Sequence, residues 1–172
     1  MSRSYPFTAW LMGPTSSGKT TISERLIKIC QKNKFSIIHY DGDEVRDLFG
    51  NNFGFDEKNR NMVIYTLVYM AKKANESGMP CIVSALTAHD SSRKYIRSKL
   101  KNLKTIYVKC PIDICAKRDP KGLYKRAKNK EINTLIGYNS DYLEPKEPDL
   151  ILNTNKYSIE ENSNQLLNFL KI

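Results

Sequence analysis

The stretch Gly13-Pro14-Thr15-Ser16-Ser17-Gly18-Lys19-Thr20, with Thr21 behind it, fits the pattern G-x-x-x-x-G-K-[ST] of a phosphate-binding loop. Its flanks are those the pattern requires. Upstream, Phe7-Thr8-Ala9-Trp10-Leu11-Met12 reads as a short, mostly apolar buried strand. Downstream, Ile22, Leu26, Ile29 and Cys30 recur at helical spacing and share one face. Strand, glycine-bracketed loop and helix N-terminus make an anion site: backbone N–H groups converge on phosphates, and the helix dipole favours negative charge. In that setting Lys19 reaches the β- and γ-phosphates of a nucleoside triphosphate, and the Thr20 hydroxyl holds Mg²⁺. The expected ligand is ATP or GTP.

Beyond the first helix, strand patterns over Phe35–Tyr40, Cys81–Leu86, Thr105–Cys110 and Asp149–Thr154 alternate with helical ones. Asp41-Gly42-Asp43 ends the second strand as a turn, and Glu44–Phe49 forms a helical turn broken by Gly50-Asn51-Asn52. A long helix runs from about Asp56 to Glu76, striped by Val63, Leu67, Met70, Ala71 and Ala74. The Asp90-Ser91-Ser92 cluster caps the next helix, Ile112–Lys117 forms a brief one, and Ser158 with Glu161 forms a capping box for the last. Strands alternating with helices imply a parallel five-stranded sheet covered on both faces, a P-loop α/β three-layer sandwich. Ligands in such a sheet gather at the carboxyl ends of the strands. The phosphate loop, Asp41-Gly42-Asp43 and the run Ser84–Asp90, with Ser84, Ala85, Leu86 and His89, all fall there.

Composition narrows the class. A chain of 172 residues, 40% hydrophobic and 27% charged, fits one soluble domain spanning 1–172. No apolar run is long enough to cross a bilayer, and Met1–Pro6 lacks a signal-peptide core, so a cytosolic location is expected with no membrane partner. Cys30, Cys81, Cys110 and Cys115 have neither C-x-x-C nor metal-ligand spacing, and read as buried free thiols. The net charge of +10 is spread over the chain without an RNA-recognition or helix-turn-helix pattern. A small polyanionic ligand therefore suits it better than nucleic acid.

A phosphoryl-transfer enzyme needs a carboxylate to take the proton of the attacking hydroxyl and anionic groups near Mg²⁺. Asp43 is the candidate base and Asp41 the candidate for Mg²⁺ and its waters, with the exchange of these roles left open. Arg46 and Arg60 are candidates to hold an anionic acceptor; Arg60 opens the long helix beside its apolar stripe, where the alternative is a snorkelling surface arginine. The basic run Lys121–Lys130 reads as part of a lid over about 120–147 that excludes water. His39 reads as packing beside the second strand, His89 as an acceptor contact.

Several runs together resemble the adenylyl-sulfate (APS) kinase family. They are Gly13–Thr20, Asp41-Gly42-Asp43-Glu44-Val45-Arg46, Gly54-Phe55 through Arg60, and Arg118-Asp119-Pro120-Lys121-Gly122-Leu123-Tyr124. Glu131-Ile132, Gly137, Tyr142, Glu144-Pro145 and Pro148–Thr154 extend the resemblance over nearly the whole chain. It implies ATP with Mg²⁺ as donor, a nucleotide ribose 3′-hydroxyl as acceptor, a lid around Lys121–Ala127, and a homodimer. Family position adds Phe55 to the acceptor contacts, and Arg118 and Thr154 to the base end of ATP.

The chain also departs from that family. Where members carry an asparagine and arginines after the helix-opening arginine, it has Val63, Tyr65 and Thr66. The third strand ends Ser84-Ala85-Leu86-Thr87-Ala88-His89-Asp90 in place of S-F-I-S-P-Y-R, and a lysine and phenylalanine become Asn133 and Leu135. Ala85 and Leu135 thus stand for adenine-stacking phenylalanines. Each base stack is worth about 1–3 kcal/mol, so their loss points to another nucleotide acceptor. The branch that phosphorylates cytidine diphosphoramidate in capsule synthesis is the expected match, with Asn133, Leu135, Ala85 and His89 in a rewritten pocket. The alternatives are a divergent APS kinase and, from another class, a P-loop NTPase working with a nucleic-acid or protein partner; the latter lacks a guanine-reading N-K-x-D string here.

Overall fold

The computed structural model describes residues 6–50 and 53–172. Its sheet has the order β2-β3-β1-β4-β5 and is parallel throughout. The strands are β1 (Thr8–Met12), β2 (Ile38–Asp41), β3 (Cys81–Ala85), β4 (Leu103–Lys109) and β5 (Leu150–Asn153). The helices are α1 (Lys19–Lys32), α2 (Gly42–Asp47), α3 (Glu57–Glu76), α4 (Asp90–Lys99), α5 (Ile112–Arg118), α6 (Leu123–Lys128) and α7 (Ile159–Leu170).

β1 shows why two helical layers are needed. All five of its residues are buried, and successive side chains point to opposite faces. Ala9 and Leu11 enter a core with Ile22, Leu26 and Cys30 of α1 and Leu166 of α7. Trp10 and Met12 enter a second core with Val63, Leu67 and Ala71 of α3 and Ile96 of α4. The register sets Met12 beside Ala85 and Asp41 beside Ser84, so the carboxyl ends of β1, β2 and β3 align.

The elements agree with the sequence patterns in number of strands and order, and differ at several boundaries. β2 begins at Ile38 because Phe35 closes α1 instead of opening a strand. Lys34 adopts a left-handed φ of 56°, its N–H donates to the Gln31 carbonyl, and the Phe35 N–H donates to the Cys30 carbonyl at 2.9 Å. That is a Schellman closure, with Phe35 and Ile37 packed on the α1 core. α2 starts at Gly42, two residues early, because Asp41 is its N-cap and accepts the Asp43 N–H at 2.8 Å. β4 starts at Leu103. The N-cap of α4 is His89, without a side-chain bond; Asp90 lies within the helix and pairs with Arg93 at 2.9 Å. The Asn51-Asn52 break and the Met1–Tyr5 leader lie outside the described residues.

α6, within the basic run, has no counterpart in the sequence patterns. Its capping explains it: the Asp119 carboxylate accepts the Tyr124 N–H at 3.2 Å and the Lys125 N–H at 3.0 Å. Tyr124 and Ala127, three apart, bury against Cys110, Cys115 and Leu135 in a third apolar cluster. The four cysteines are free and buried. Among the described residues no helix is long and apolar enough to cross a membrane.

Candidate active site at the strand ends

A cavity of about 830 Å³ opens over the aligned strand ends, large enough for nucleotides. Its floor is the phosphate loop. Gly13 is required by close approach: a Cβ there would stand 2.4 Å from the Val108 carbonyl oxygen. Gly18, at φ 101°, takes the left-handed conformation that starts α1. The Ser16 and Ser17 hydroxyls are buried without a partner, as expected of a cradle built for an oxyanion. Lys19 folds back onto the loop, donating to the Gly13 carbonyl at 2.9 Å and the Pro14 carbonyl at 2.8 Å. Burial pulls its ammonium down to about 8 from the usual 10.5, against the opposing pull of Asp43 and Asp41.

Above the loop, Asp41 is buried and both its oxygens are engaged. Oδ2 accepts the Thr20 hydroxyl at 2.6 Å while Oδ1 caps α2. Asp43, one step along α2, is 61% exposed at the side chain and pairs with Lys121 across the cleft. Gly42 does not bend the chain between them, and it is not among the positive-φ residues. Its role is proximity: a Cβ would lie 3.3 Å from the Ser84 carbonyl oxygen and 3.5 Å from Ala85. This corrects the expectation that Asp41-Gly42-Asp43 is a turn.

The segment 118–147 is tied to the rest of the chain from several sides. The Tyr124 hydroxyl donates to the Thr15 carbonyl at 3.1 Å, tying α6 to the phosphate loop. Arg60 donates to the Thr134 carbonyl, Arg93 to the Leu143 carbonyl, and Lys109 pairs with Glu144 at 3.2 Å. Arg118 grips Thr154 through its hydroxyl at 3.1 Å and its carbonyl at 2.6 Å, and Thr154 donates to the Ser17 carbonyl at 2.8 Å. Arg46 and Arg60 also turn to backbone, Arg46 to the Gly54 carbonyl at 2.7 Å. Burial lowers the pKa of both, and Arg46 further lowers that of Arg60. Two desolvated guanidiniums facing one cavity are suited to a bound anion.

A family model described as adenylylsulphate kinase matches residues 5–153. The chain belongs to the adenylylsulphate kinase family. It is 35% identical over 150 residues to a probable adenylyl-sulfate kinase of Archaeoglobus fulgidus, covering 87% of this chain and 97% of that protein. It is 34% identical over 157 residues to the cytidine diphosphoramidate kinase of Campylobacter jejuni, covering 91% of each. Among solved structures, the Mycobacterium tuberculosis APS kinase in complex with AMPPNP and APS superimposes with a TM-score of 0.91 at 26% identity, covering 98% and 99%. Kinase chemistry on a small nucleotide substrate with ATP as donor is therefore the family's setting for this site.

Most residues singled out from the sequence of this family member meet at the cavity. Thr15, Ser16, Gly18, Lys19, Thr20 and Thr21 line it on the loop side. Asp41, Asp43, Arg46, Phe55, Arg60 and Lys121 face the middle. Ser84, Ala85, Leu86, His89, Leu135, Arg118 and Thr154 complete the wall. Gly13, Pro14 and Ser17 lie behind it as the loop's own frame. Asn133 is the exception: its side chain is exposed and the cavity takes Ile132, Thr134, Leu135 and Ile136 from that segment instead. Leu135 packs at the same time in the apolar cluster under the lid. His39 stays off the cavity and shares the Ser84 hydroxyl at 3.0 Å, with burial lowering its pKa.

Asn61 and Ser92 line the cavity and were missed by sequence reasoning. A signal existed for Asn61. It precedes Ile64 by three and Val68 by seven, so it sits on the buried stripe of α3.

The lowered Lys19 pKa has a measurable consequence. Lys19 binds phosphate as the cation, so nucleotide affinity should weaken as pH rises through about 8, by up to tenfold per pH unit beyond it. Titration calorimetry with ATP from pH 7 to about 9.5 checks this; a flat profile would mean that Lys19 stays charged. Because the folded value lies below the unfolded one, the same group makes stability rise with pH between about 8 and 10.5.

Proposed function

We propose that the protein transfers the γ-phosphoryl group of ATP to the 3′-hydroxyl of a nucleotide ribose, with cytidine diphosphoramidate as acceptor. The loop Gly13–Thr20 cradles the donor phosphates, and Lys19 offsets negative charge as it spreads over the transferring group. Thr20 and Asp41, a hydroxyl and one carboxylate already in contact, would hold Mg²⁺ with the nucleotide's own oxygens; the ion supplies charge neutralisation at the β- and γ-phosphates. Asp43 takes the proton of the attacking hydroxyl. Arg46 and Arg60 hold the acceptor's anionic groups, and Lys121 closes the lid and keeps water out. Arg118 and Thr154 border the donor's base end.

The choice of acceptor rests on the pocket wall. Ala85, Leu86, Ile132, Leu135 and Ile136 give it an aliphatic stretch; its aromatic members are Tyr157 and Phe55, the latter with the Arg46 guanidinium 4.5 Å from its ring centre. With Ala85 and Leu135 in place of the adenine-stacking phenylalanines that the resemblance implies, the wall suits a pyrimidine better than the two-sided grip that adenine needs. The likeness to the Campylobacter jejuni protein supports the same reading. Adenylyl sulfate is the second reading, favoured by the name of the Archaeoglobus fulgidus relative.

ATP consumption with Mg²⁺, run in parallel with the two acceptors, decides between them. We expect kcat/KM for cytidine diphosphoramidate to exceed that for adenylyl sulfate by about tenfold or more, the worth of one lost stack. The reverse order would assign the protein to sulfate activation.

A further inference from the structure

The wall of the cavity carries a polar pair that the phosphoryl-transfer chemistry leaves unused. Asn61, in the second turn of α3, accepts a hydrogen bond from the Ser92 hydroxyl of α4 at 3.2 Å on its amide oxygen. Ser92 is only 7% exposed, and the bond links α3 and α4 at the cavity wall. Asn61 is half-buried beside the apolar stripe of α3, where an amide is best served when its groups are used. Ser92 takes one lone pair of the Asn61 oxygen; the second lone pair and the amide N–H2 remain for a ligand. With the Ser92 hydroxyl as donor, the amide presents a donor and an acceptor side by side to the cavity; the reversed amide would need that hydroxyl to accept instead.

We propose that Asn61, oriented by Ser92, reads the base of the acceptor nucleotide by pairing with an amino-bearing edge, an exocyclic N–H2 beside a ring nitrogen acceptor. Cytosine and adenine both present that edge; uracil and hypoxanthine replace the amino donor by a keto acceptor and the ring acceptor by an N–H. An asparagine amide matches the amino edge with two hydrogen bonds. With the keto edge, the amide in that orientation sets donor against donor and acceptor against acceptor. Asn61 thus selects amino bases over keto bases, whereas the aliphatic wall and Phe55 set ring size. The inference rests on the reading of the acceptor as a nucleotide, and Ser92 enters it as a positioning residue.

The test measures binding, independently of turnover. With the donor site saturated by Mg²⁺ and a non-hydrolysable ATP analogue, the dissociation constants of CMP, UMP, AMP and IMP are measured by calorimetry. The wild-type protein should prefer CMP to UMP, and AMP to IMP, by about tenfold or more. Asn61→Leu should reduce each preference to near unity while leaving affinity for the ATP analogue unchanged. Ser92→Ala should reduce the preference part-way and raise the acceptor KM with little change in kcat, which loosened packing alone would not do selectively. Unequal binding that survives in Asn61→Leu overturns the proposal, as does failure of all four nucleotides to bind. Selective binding without turnover of cytidine diphosphoramidate or adenylyl sulfate would instead overturn the proposed reaction and leave the base reader standing.

Discussion

Replacing Lys19 by alanine should lower kcat by about a thousandfold or more and leave the protein folded. Removing a single preorganised donor from a developing oxyanion costs about 10²–10³ in rate, and Lys19 supplies a full charge in a site from which solvent is excluded. The structure separates this loss from a loss of stability. Burial disfavours the Lys19 ammonium, which is why its pKa falls to about 8. The fold therefore holds that charge at a cost, compensated by bonds to the Gly13 and Pro14 carbonyls. Lys19→Met, of similar length and without charge, removes that cost and should show a Tm at or above the wild-type value. A rate measurement and a thermal melt on both variants check the expectation. Turnover within tenfold of wild type in either variant would remove Lys19 from the donor site; a Tm lowered in both would mean that it is a structural group.

The pattern of legible and illegible features in this sequence follows from where the information resides. The phosphate loop could be read because its glycines are forced by local geometry: Gly13 faces the Val108 carbonyl and Gly18 needs a left-handed backbone. The succession of strands along the chain and the covering of both sheet faces follow from short buried strands, mostly apolar on both faces, whereas the spatial order β2-β3-β1-β4-β5 is not written in them. Phe35-Ser36-Ile37 misled because alternation in a helix-closing segment looks like a strand; the Schellman bond from Phe35 to Cys30 is what decides it. The dual role of Asp41 was half visible. Its carboxylate was placed near Thr20 from the motif, while its capping of α2 needed the backbone. α6 was hidden by its own charges, since the residues that order it, Asp119 and Tyr124, act through contacts that span the lid and the loop. Asn133 was taken from family position, and one residue's difference in how the segment turns sends Thr134 to the cavity instead.

Asp43→Asn should lower kcat by about 10²–10⁴ with ATP affinity kept, the range spanned by loss of a general base. The two carboxylates at the end of β2 differ in what they have left to give. Asp41 is 5% exposed, and its oxygens already serve the Thr20 hydroxyl and the α2 N-terminus, which suits it to the Mg²⁺ side of the site better than to a substrate proton. Asp43 faces the cleft, and its side-chain partner is Lys121, which arrives with the lid. The asparagine variant is informative because it retains shape and still accepts from Lys121 through its amide oxygen. Lid closure therefore survives while proton acceptance is lost. Asp41→Asn should behave differently. It weakens the Thr20 contact and the start of α2, so it should raise the KM for ATP–Mg²⁺ and lower Tm together. Single-turnover rates and nucleotide affinity, measured side by side on the two variants, separate the roles. If Asp43→Asn turns over near the wild-type rate and Asp41→Asn does not, the base is Asp41, and the lid contact to Asp43 serves closure alone.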